Sequence, residues 1–380
     1  MNKVIEFDEA QSTLYCEAGC ILETLQNHTK DLGYMMPLDL GAKGSCQIGG
    51  NLATNAGGIK FIKQGSMHSN CVGLKVVLAD GTIIDQMDPH VTLPIGYDLK
   101  QLFIGAEGTL GFITECAIFC PPYPKNRQVA LLASNDYEQI MKCLQISKKE
   151  LSSQLSAVEF MDWESASIAM DYLSLENPLS DEYKYYILIE MSGNSQEELL
   201  QEQMLELLEK LEDHYEDGLM CESETQKDQI WHIREGISMA ASGYGLAFKF
   251  DISLESKDFE DIILKTQERV NHLGGRVLGH GHIGDGNLHL NTVMKGFKDM
   301  DTAKQIKEAL QPFVFDYIKE KNGSVSAEHG IGLLKTDYLG HSKSSEMIGY
   351  MGMLKKVFDP KGILNPYKVL PDHAFKPGTD

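Results

Sequence analysis

The chain has 380 residues, 42% of them hydrophobic, and carries a formal net charge of −21. This length favours two domains, because single cores rarely grow beyond about 250 residues. The acidic balance, without clustered Lys and Arg, argues against nucleic-acid binding, and no apolar run approaches the roughly 20 residues of a membrane span. The eight cysteines lack the paired spacings of zinc ribbons or small secreted scaffolds, so we expect free thiols in a reducing compartment.

The first part of the chain, residues 1–122, is typical of short strands and glycine turns. STLYCEAG, LKVVLADGTII and LGFITECAIF are β-like runs, and the first residues resemble a strand pair rather than a targeting segment. The stretches 37–58 and 105–114 are too glycine-dense for the interior of helices or strands, and glycine permits close backbone approach to a ligand. We therefore expect ligand-binding loops there, although neither stretch matches the dinucleotide-binding fingerprint.

A CPPYPKN break predicts a domain boundary near residue 122, which gives domains 1–122 and 123–380. Beyond it, strands such as KYYILIEMSG alternate with longer helices. The stretch SQEELLQEQMLELLEKLEDHYEDG has the spacing of an amphipathic surface helix. The pattern favours an α+β domain with helices packed on a mostly antiparallel sheet.

Three histidines lie among glycines in GHGHIGDGNLHLN, residues 279–291. With the central DG as a two-residue hairpin loop, His282 would lie across from His289, and His280 across from Asn291. Both imidazoles of the first pair could then bind one metal ion. The alternative is that these histidines bond to the backbone of a glycine-rich turn.

A carboxylate that could complete such a metal site lies in SVSAEHGIG, which contains Glu328 and His329. Two histidines and one carboxylate make a three-ligand site with open positions, suited to Zn²⁺ or another divalent ion. A neighbouring histidine that does not bind the metal, His329, could act as general base near neutral pH. A zinc hydrolase would use the same residues, but it leaves the N-terminal glycine loops without a role.

A second pocket is indicated by IWHIREGISMA, where Arg234 and Ser238 share a helix face at i and i+4. In GLAFKFDISL, Lys249 alternates with apolar residues on a strand. A guanidinium, a hydroxyl and an ammonium could anchor a carboxylate. The alternative is that both cations lie on solvent-facing surfaces.

Five motifs in this order resemble the FAD-linked 2-hydroxy acid dehydrogenases of the vanillyl-alcohol oxidase superfamily: IGGNLATNAGG, GAEGTLGFIT, GHIGDGNLH, SAEHGIG and FDPKGILNPYK. The variants MPLDLGAKGSC, GYDLKQLFIG, NLHLN and GILNPYK resemble the branch that oxidises 2-hydroxyglutarate. The resemblance runs to about Pro371. It implies an α+β protein in which an incomplete PCMH-type FAD-binding domain precedes an FAD-linked oxidase C-terminal domain with the substrate and metal site.

The resemblance also assigns residues. The implied zinc ligands are His282, His289 and Glu328. The implied substrate-binding residues are Arg234, Ser238, Lys249, Asn291 and His329, of which His329 is catalytic and Ser238 stands where the branch commonly has Thr. The implied FAD-binding residues are Pro37, Gly41, Ser45, Gly49, Gly50, Thr54, Asn55, Gly57, Glu107, Gly108, Ile113 and Asn365. His280 matches no functional position.

The implied reaction is hydride transfer from C2 of (R)-2-hydroxyglutarate to flavin N5, giving 2-oxoglutarate. Zinc would acidify the C2 hydroxyl, His329 would take its proton, and an electron-transfer flavoprotein would receive the electrons. Eukaryotic relatives imply the mitochondrial matrix, although the chain shows no presequence, and a homodimer is a further expectation. Because Met1 aligns after the family's GGNTG-type pyrophosphate loop, one alternative is a truncated, non-catalytic remnant that binds zinc and dicarboxylate but not FAD. Another is a dehydrogenase of D-lactate or a different 2-hydroxy acid.

Overall fold

A computed structural model describes residues 1–88, 96–296 and 300–375. The chain divides into two compact units. The first unit contains residues 1–123 together with the chain from residue 328 onward, and the second unit contains residues 124–327.

Within the described residues the chain forms twelve strands: β1 Val4–Asp8, β2 Thr13–Glu17, β3 Cys71–Val77, β4 Ile83–Gln86, β5 Phe112–Phe119, β6 Asn126–Ser134, β7 Leu155–Asp162, β8 Tyr185–Gly193, β9 Asp217–Met220, β10 Gly245–Ser253, β11 Arg276–Gly281 and β12 Asn287–Lys295. The α-helices are α1 Leu22–Asp31, α2 Ile48–Ala53, α3 Phe61–Gln64, α4 Met67–Asn70, α5 Lys100–Phe103, α6 Tyr137–Leu151, α7 Trp163–Leu173, α8 Glu197–Leu211, α9 Glu224–Tyr244, α10 Phe259–Val270, α11 Met300–Glu320 and α12 Ser345–Phe358. Short 3₁₀ turns occupy Ser152–Gln154, Glu212–His214, Ser256–Asp258, Asn271–Leu273, Thr336–His341 and Asp372–Phe375. None of the helices in these described ranges is both long enough and apolar enough to cross a membrane.

The first unit is built on an antiparallel sheet with strand order β1-β2-β5-β3-β4. LKVVLADGTII forms the predicted hairpin of β3 and β4, and Gly81 in its turn has φ +88. Cys16 of β2 lies opposite Cys116 of β5 with the sulfurs 3.7 Å apart, yet all eight cysteines are free thiols, as predicted. Burial raises the pKa of the Cys71 thiol to about 12, so this core cysteine stays protonated and unreactive.

The C-terminal segment packs into the first unit. Lys355 of α12 donates to the carbonyl oxygen of Thr109 at 2.8 Å. The Phe358 ring meets that of Phe103 edge-on, with centroids 5.4 Å apart. These contacts join residues that are far apart in sequence but lie in the same unit.

The second unit contains an antiparallel sheet with strand order β10-β12-β11-β7-β8-β6-β9. Every residue of β7 is buried, as expected for a central strand covered by helices on both faces. The predicted amphipathic helix is confirmed as α8, which buries Leu200, Met204, Leu207 and Leu211. Asp162 ends β7 and caps α7, because its carboxylate accepts from the amides of Ser165 and Gly279, both at 2.7 Å. The sheet and helices confirm the predicted α+β class of this unit.

Candidate active site

The histidine motif forms a hairpin, but its predicted register is wrong. His280, not His282, pairs with His289, and Leu278 pairs with Asn291. The strands are joined by five residues, 282–286, instead of the two residues of a tight DG turn.

Contacts from outside the hairpin explain the wider loop. The Ser256 hydroxyl donates to the carbonyl oxygen of Ile283 at 2.7 Å, and the Leu254 amide donates to that of Gly286 at 2.9 Å. Gly286 has φ +82, and a Cβ there would lie 2.4 Å from the Leu254 carbonyl oxygen. These contacts outweigh the local preference of the DG sequence for a two-residue turn.

The two proposed metal-binding histidines remain close in the corrected register. The rings of His282 and His289 have centroids 5.5 Å apart and are nearly perpendicular. Leu288 and Leu290 on the opposite face of β12 are fully buried, as predicted. This packing holds β12 in place, so that His289 faces the polar side of the sheet.

Each of these histidines faces a buried carboxylate through its Nδ1 atom. His282 Nδ1 lies 2.7 Å from Oε1 of Glu159, and His289 Nδ1 lies 3.8 Å from Oδ1 of Asp251. Glu159 and Asp251 are 1% and 4% exposed. A carboxylate hydrogen-bonded to Nδ1, as Glu159 is to His282, commonly orients a metal-binding imidazole, since an Nδ1–H donor leaves Nε2 as the acceptor nitrogen of the ring. The distance between His289 and Asp251 is too long for a hydrogen bond.

The polypeptide that leads to Glu328 is attached to the same part of the second unit. Ser253 and Ser324 exchange two backbone hydrogen bonds, of 3.0 and 2.8 Å. The Ala327 amide then donates to Oδ2 of Asp251 at 3.1 Å. Glu328 is the next residue along the chain, and consecutive Cα atoms are about 3.8 Å apart.

Glu328 and His329 belong to the first unit by their contacts. Glu328 Oε2 accepts from the Gly58 amide at 3.2 Å, and His329 Nε2 lies 3.6 Å from Glu328 Oε1. The His329 side chain is 66% exposed, which leaves it accessible to a small molecule.

Lys249, predicted to bind a substrate carboxylate, lies where β10 meets α9 and is exposed, in agreement with the alternative of a solvent-facing cation. Lys249 pairs with Asn291 in the register of the two strands. Its ammonium donates to Oγ of Ser242 at 2.8 Å and to the carbonyl oxygen of Ser238 at 3.1 Å. Partial burial against α9 lowers the pKa of Lys249 below its usual value.

Arg234 lies one helical turn before Ser238 on α9 and is only 6% exposed. Its Nε donates to Oε2 of Glu159 at 2.8 Å, and its Nη2 lies 2.7 Å from the same oxygen. Ser238 itself is exposed. Arg234 is therefore a buried, ion-paired residue rather than a surface cation, and Glu159 joins it to His282.

Sequence reasoning missed Glu159 and Asp251. Asp251 follows Lys249 at the strand period of two, which places both side chains on one face, so alternation in GLAFKFDISL carried this signal. Glu159 is an acidic residue in the interior of β7, 123 positions before His282. A buried acid in a central strand indicates a nearby cation or donor, but the sequence does not say which one.

The glycine-rich segments predicted to bind FAD lie side by side in the first unit. The carbonyl oxygens of Leu52 and Ala53 accept from the amides of Gly105 and Glu107 at 2.9 and 2.8 Å. One expectation is corrected, because IGGNLA forms helix α2 instead of a loop. Its glycines permit close packing, and a Cβ on Gly49 would lie 2.7 Å from that of Ala18.

Glu107 and Asn365 meet at the same place, since the Asn365 amide donates to the carbonyl oxygen of Glu107 at 2.6 Å. The Glu107 carboxylate accepts from the backbone amides of Ile331 and Gly332 at 2.6 and 2.8 Å, just after His329. Its side chain thus holds the EHGIG segment. Glu107 and Asn365 both have positive φ, +51 and +38, a strained conformation that clusters at functional sites.

The other predicted FAD residues spread over the same unit. Those in the 37–58 segment are Pro37, which is buried, Gly41 and Ser45, which are exposed, Gly49 and Gly50 in α2, Thr54 at its C-terminus, Asn55 with φ +53, and Gly57, which is buried. Gly108 follows Glu107, and Ile113 is buried in β5. A Cβ added at Gly41, Gly50 or Gly108 would meet no described protein atom within 4 Å. Packing of the described residues therefore does not require glycine at Gly41 or Gly50, which suits positions where a ligand approaches the backbone.

Two protein-family models match the chain. Residues 123–369 match the family described as FAD linked oxidases, C-terminal domain, and residues 1–86 match the FAD binding domain. A solved structure of p-cresol methylhydroxylase with substrate bound is similar with a TM-score of 0.73 at 14% identity, covering 97% of this chain and 78% of that one. The predicted combination of a PCMH-type FAD-binding domain and an oxidase C-terminal domain is confirmed as the fold.

Curated relatives are similar over nearly all of this chain. A protein of Oryza sativa subsp. indica, named probable D-2-hydroxyglutarate dehydrogenase, mitochondrial, is 46% identical over 98% of this chain and 66% of its own length. The D-2-hydroxyglutarate dehydrogenase, mitochondrial, of Rattus norvegicus is 43% identical over 98% of this chain and 69% of its own length. The chain thus spans about two thirds of the length of these relatives.

Proposed function

Because this chain belongs to the FAD-linked oxidases and groups there with the D-2-hydroxyglutarate dehydrogenases, we propose that it oxidises (R)-2-hydroxyglutarate to 2-oxoglutarate with FAD. One observation supports this most directly. Lys249 and Asp251 of β10 pair with Asn291 and His289 of β12, so four polar side chains share the sheet face that packs against α9. Such a row offers cationic and amide groups for a dicarboxylate beside imidazole and carboxylate groups for a metal ion.

Lys249 and Arg234 would bind the carboxylate distal to the reacting carbon. The Arg234 charge is already balanced by Glu159, so Lys249 is the cation whose charge a substrate carboxylate would meet. Ser242 and the Ser238 carbonyl oxygen hold its ammonium against α9, which orders the group before substrate arrives. A hydrogen bond to a charged group is worth about 1.5–3 kcal/mol, so losing it should weaken binding roughly ten- to a hundredfold.

His282, His289 and Glu328 would hold a zinc ion. The residues present suit it, since two imidazoles and a carboxylate are common zinc ligands and the Nδ1 atom of His282 has a carboxylate partner in Glu159. The anchored Ala327 holds the chain immediately before Glu328. A bound zinc ion would act as a Lewis acid toward the C2 hydroxyl and C1 carboxylate of the substrate.

His329 would accept the proton of the C2 hydroxyl at Nε2. Its accessible ring follows Glu328, and Glu107 fixes the backbone just beyond it through two amides. Asn291, 2% exposed and paired with Lys249, would hydrogen-bond the substrate near the reacting carbon. These residues orient the substrate and move one proton.

FAD would supply the acceptor for the hydride lost from C2. In the first unit, the 37–58 segment, the Glu107–Gly108 turn and Asn365 would hold it. The open positions at Gly41 and Gly50 and the positive φ values of Asn55, Glu107 and Asn365 support this assignment.

The proposal extends to partners and compartment. Electrons would pass to an electron-transfer flavoprotein, and the chain would act in the mitochondrial matrix as a homodimer. Support for the compartment comes from the relatives, whose names include the word mitochondrial.

The test compares turnover of (R)-2-hydroxyglutarate and D-lactate by protein loaded with FAD and zinc, with an artificial electron acceptor. Lactate has no distal carboxylate, so Lys249→Ala should raise KM for hydroxyglutarate roughly ten- to a hundredfold and change lactate kinetics little. Lys295→Ala, which removes an exposed lysine at the end of β12, is the matched control. Equal losses on both substrates would contradict the assignment of the distal pocket.

A further inference from the structure

Glu159 lies at the centre of the polar network in the second unit. It sits on β7, is 1% exposed, and uses its two oxygens for two different partners. Oε1 lies 2.7 Å from His282 Nδ1, and Oε2 accepts from Arg234 Nε at 2.8 Å. The sequence motifs assign His282 and Arg234 to different tasks, and Glu159 connects them.

The chemistry of these contacts determines which nitrogen of His282 carries the proton. A carboxylate oxygen only accepts hydrogen bonds, so Nδ1 of the imidazole must donate. The neutral ring then has Nε2 as its acceptor nitrogen, the atom that a metal ion needs. The other carboxylate oxygen fixes the Arg234 guanidinium, a group that stays charged at any ordinary pH.

We infer that Glu159 is a positioning residue that sets the Nδ1–H tautomer of His282 for metal binding and holds the Arg234 fork toward the distal carboxylate of the substrate. The inference rests on the proposed function, and extends it to a residue that binds neither metal nor substrate. It explains why an acidic residue occupies the interior of a central strand. A buried charge there is tolerated because Glu159 has a permanent cation and a donor within hydrogen-bonding distance.

Replacing Glu159 with glutamine leads to a specific prediction for the protonation of His282. The amide has one accepting oxygen and one donating nitrogen, whereas Glu159 faces two donors. With the oxygen toward Arg234, the nitrogen donates to His282 Nδ1 and forces the Nε2–H tautomer, which cannot bind a metal at Nε2. Loss of such a carboxylate partner typically weakens metal affinity 10- to 100-fold, roughly the change expected for Glu159→Gln.

Glu190 provides a matched control. It lies on the adjacent strand β8, is 1% exposed, and accepts from Trp231 Nε1 at 2.9 Å and from the Ser156 hydroxyl at 2.7 Å. Glu190→Gln therefore removes a buried acid from the same sheet without touching a donor on His282 or Arg234. It should cost stability but leave zinc affinity within about twofold of wild type, if zinc binding follows the His282 tautomer.

The experiment measures Zn²⁺ affinity of the full chain by competition with a chromogenic chelator, and the His282 tautomer by ¹⁵N NMR of histidine-labelled protein without metal. His282→Gln assigns the resonance. We expect the Nδ1–H form in wild type and Glu190→Gln, the Nε2–H form in Glu159→Gln, and a 10- to 100-fold weaker zinc affinity in that variant alone. Should Glu159→Gln fail to fold, Glu159→Asp retains the charge but is one methylene shorter, and should weaken zinc binding by a smaller factor.

Unchanged zinc affinity and an unchanged tautomer in folded Glu159→Gln would overturn the inference. Equal zinc losses in Glu159→Gln and Glu190→Gln would also overturn it, since they indicate general destabilisation. If wild type binds no zinc, the metal proposal fails, and the tautomer change in metal-free protein then decides the positioning role separately.

Discussion

Replacing Lys355 with methionine should loosen the C-terminal segment that carries Asn365. The Lys355 side chain is 9% exposed in α12. Its ammonium donates to the carbonyl oxygens of Thr109 and Leu364 at 2.8 and 2.7 Å, and to Asp359 Oδ2 at 2.5 Å. The lysine thus links the FDPKGILNPYK motif to the segment that contains Glu107.

The size of the effect follows from the carboxylate that would be left behind. Asp359 has a fully buried side chain, and removing one member of a buried ion pair costs about 3–5 kcal/mol. Asp359 keeps the backbone amides of Ile363 and Leu364 at 3.1 and 2.7 Å, so we expect about 3 kcal/mol, at the low end of that range. Methionine has a similar shape, so the change is mainly electrostatic.

The stability that the Lys355–Asp359 pair contributes should change with pH in a defined direction. Burial acts to raise the pKa of Asp359, but the Lys355 ammonium and the two amides outweigh it and hold the pKa below its usual value. A depressed pKa contributes stability above the pKa of the unfolded chain and loses it as pH falls through the folded value. The difference in free energy of unfolding between wild type and Lys355→Met should therefore become smaller at acidic pH.

Hydrogen exchange measured by mass spectrometry on peptides covering 359–370, together with urea unfolding, measures the effect. Lys356→Met is the matched control, because that exposed neighbour donates only to the Phe375 carbonyl oxygen among the described residues and should change stability by less than about 0.5 kcal/mol. Faster exchange in 359–370 is expected for Lys355→Met alone. Equal behaviour of the two variants would refute the assigned role of the buried pair.

Three further outcomes are expected. Partial burial lowers the pKa of Lys249, so KM for hydroxyglutarate should rise in alkaline solution as this lysine loses its proton. Lys249→Arg keeps its charge and should remove that rise from the KM–pH profile. Neither ring nitrogen of buried His280 has a hydrogen-bond partner among the described residues, so His280→Leu should keep the zinc content and the melting temperature; loss of zinc would show that His280 is a ligand. Gly58 has φ +67, and a Cβ there would lie 2.2 Å from the Asp39 carbonyl oxygen, so Gly58→Ala should weaken flavin binding in a fluorescence titration, whereas Gly349→Ala, with no described atom within 4 Å of its Cβ, should not.

The elements of the fold were largely predictable, because their signals are local. The continuous apolar run in KYYILIEMSG and the helical spacing in the α8 segment each depend on a few neighbouring residues. The register of the 279–291 hairpin was not, since DG alone indicates a two-residue turn while Leu254 and Ser256 widen the loop to five residues. Those contacts come from residues outside the hairpin, so the sequence of the hairpin alone does not predict them.

The same distinction between local sequence signals and long-range contacts applies to the candidate site. Its histidines and glycines stand in motifs, so their residue types could be recognised in the sequence. Glu159 stands in no motif, and only the pairing of β7 with β11 and the packing of α9 bring it to His282 and Arg234. Partners separated by more than a hundred positions require the tertiary structure.

Anaerobic reduction of the bound flavin tests the central claim most directly. Purified protein loaded with FAD and zinc is mixed with (R)-2-hydroxyglutarate, and the visible flavin absorption is followed while 2-oxoglutarate is quantified. The account predicts bleaching with one 2-oxoglutarate formed per flavin reduced, and no bleaching with the (S)-enantiomer. A chain that binds no FAD, or whose bound flavin stays oxidised with the (R)-enantiomer, would contradict it.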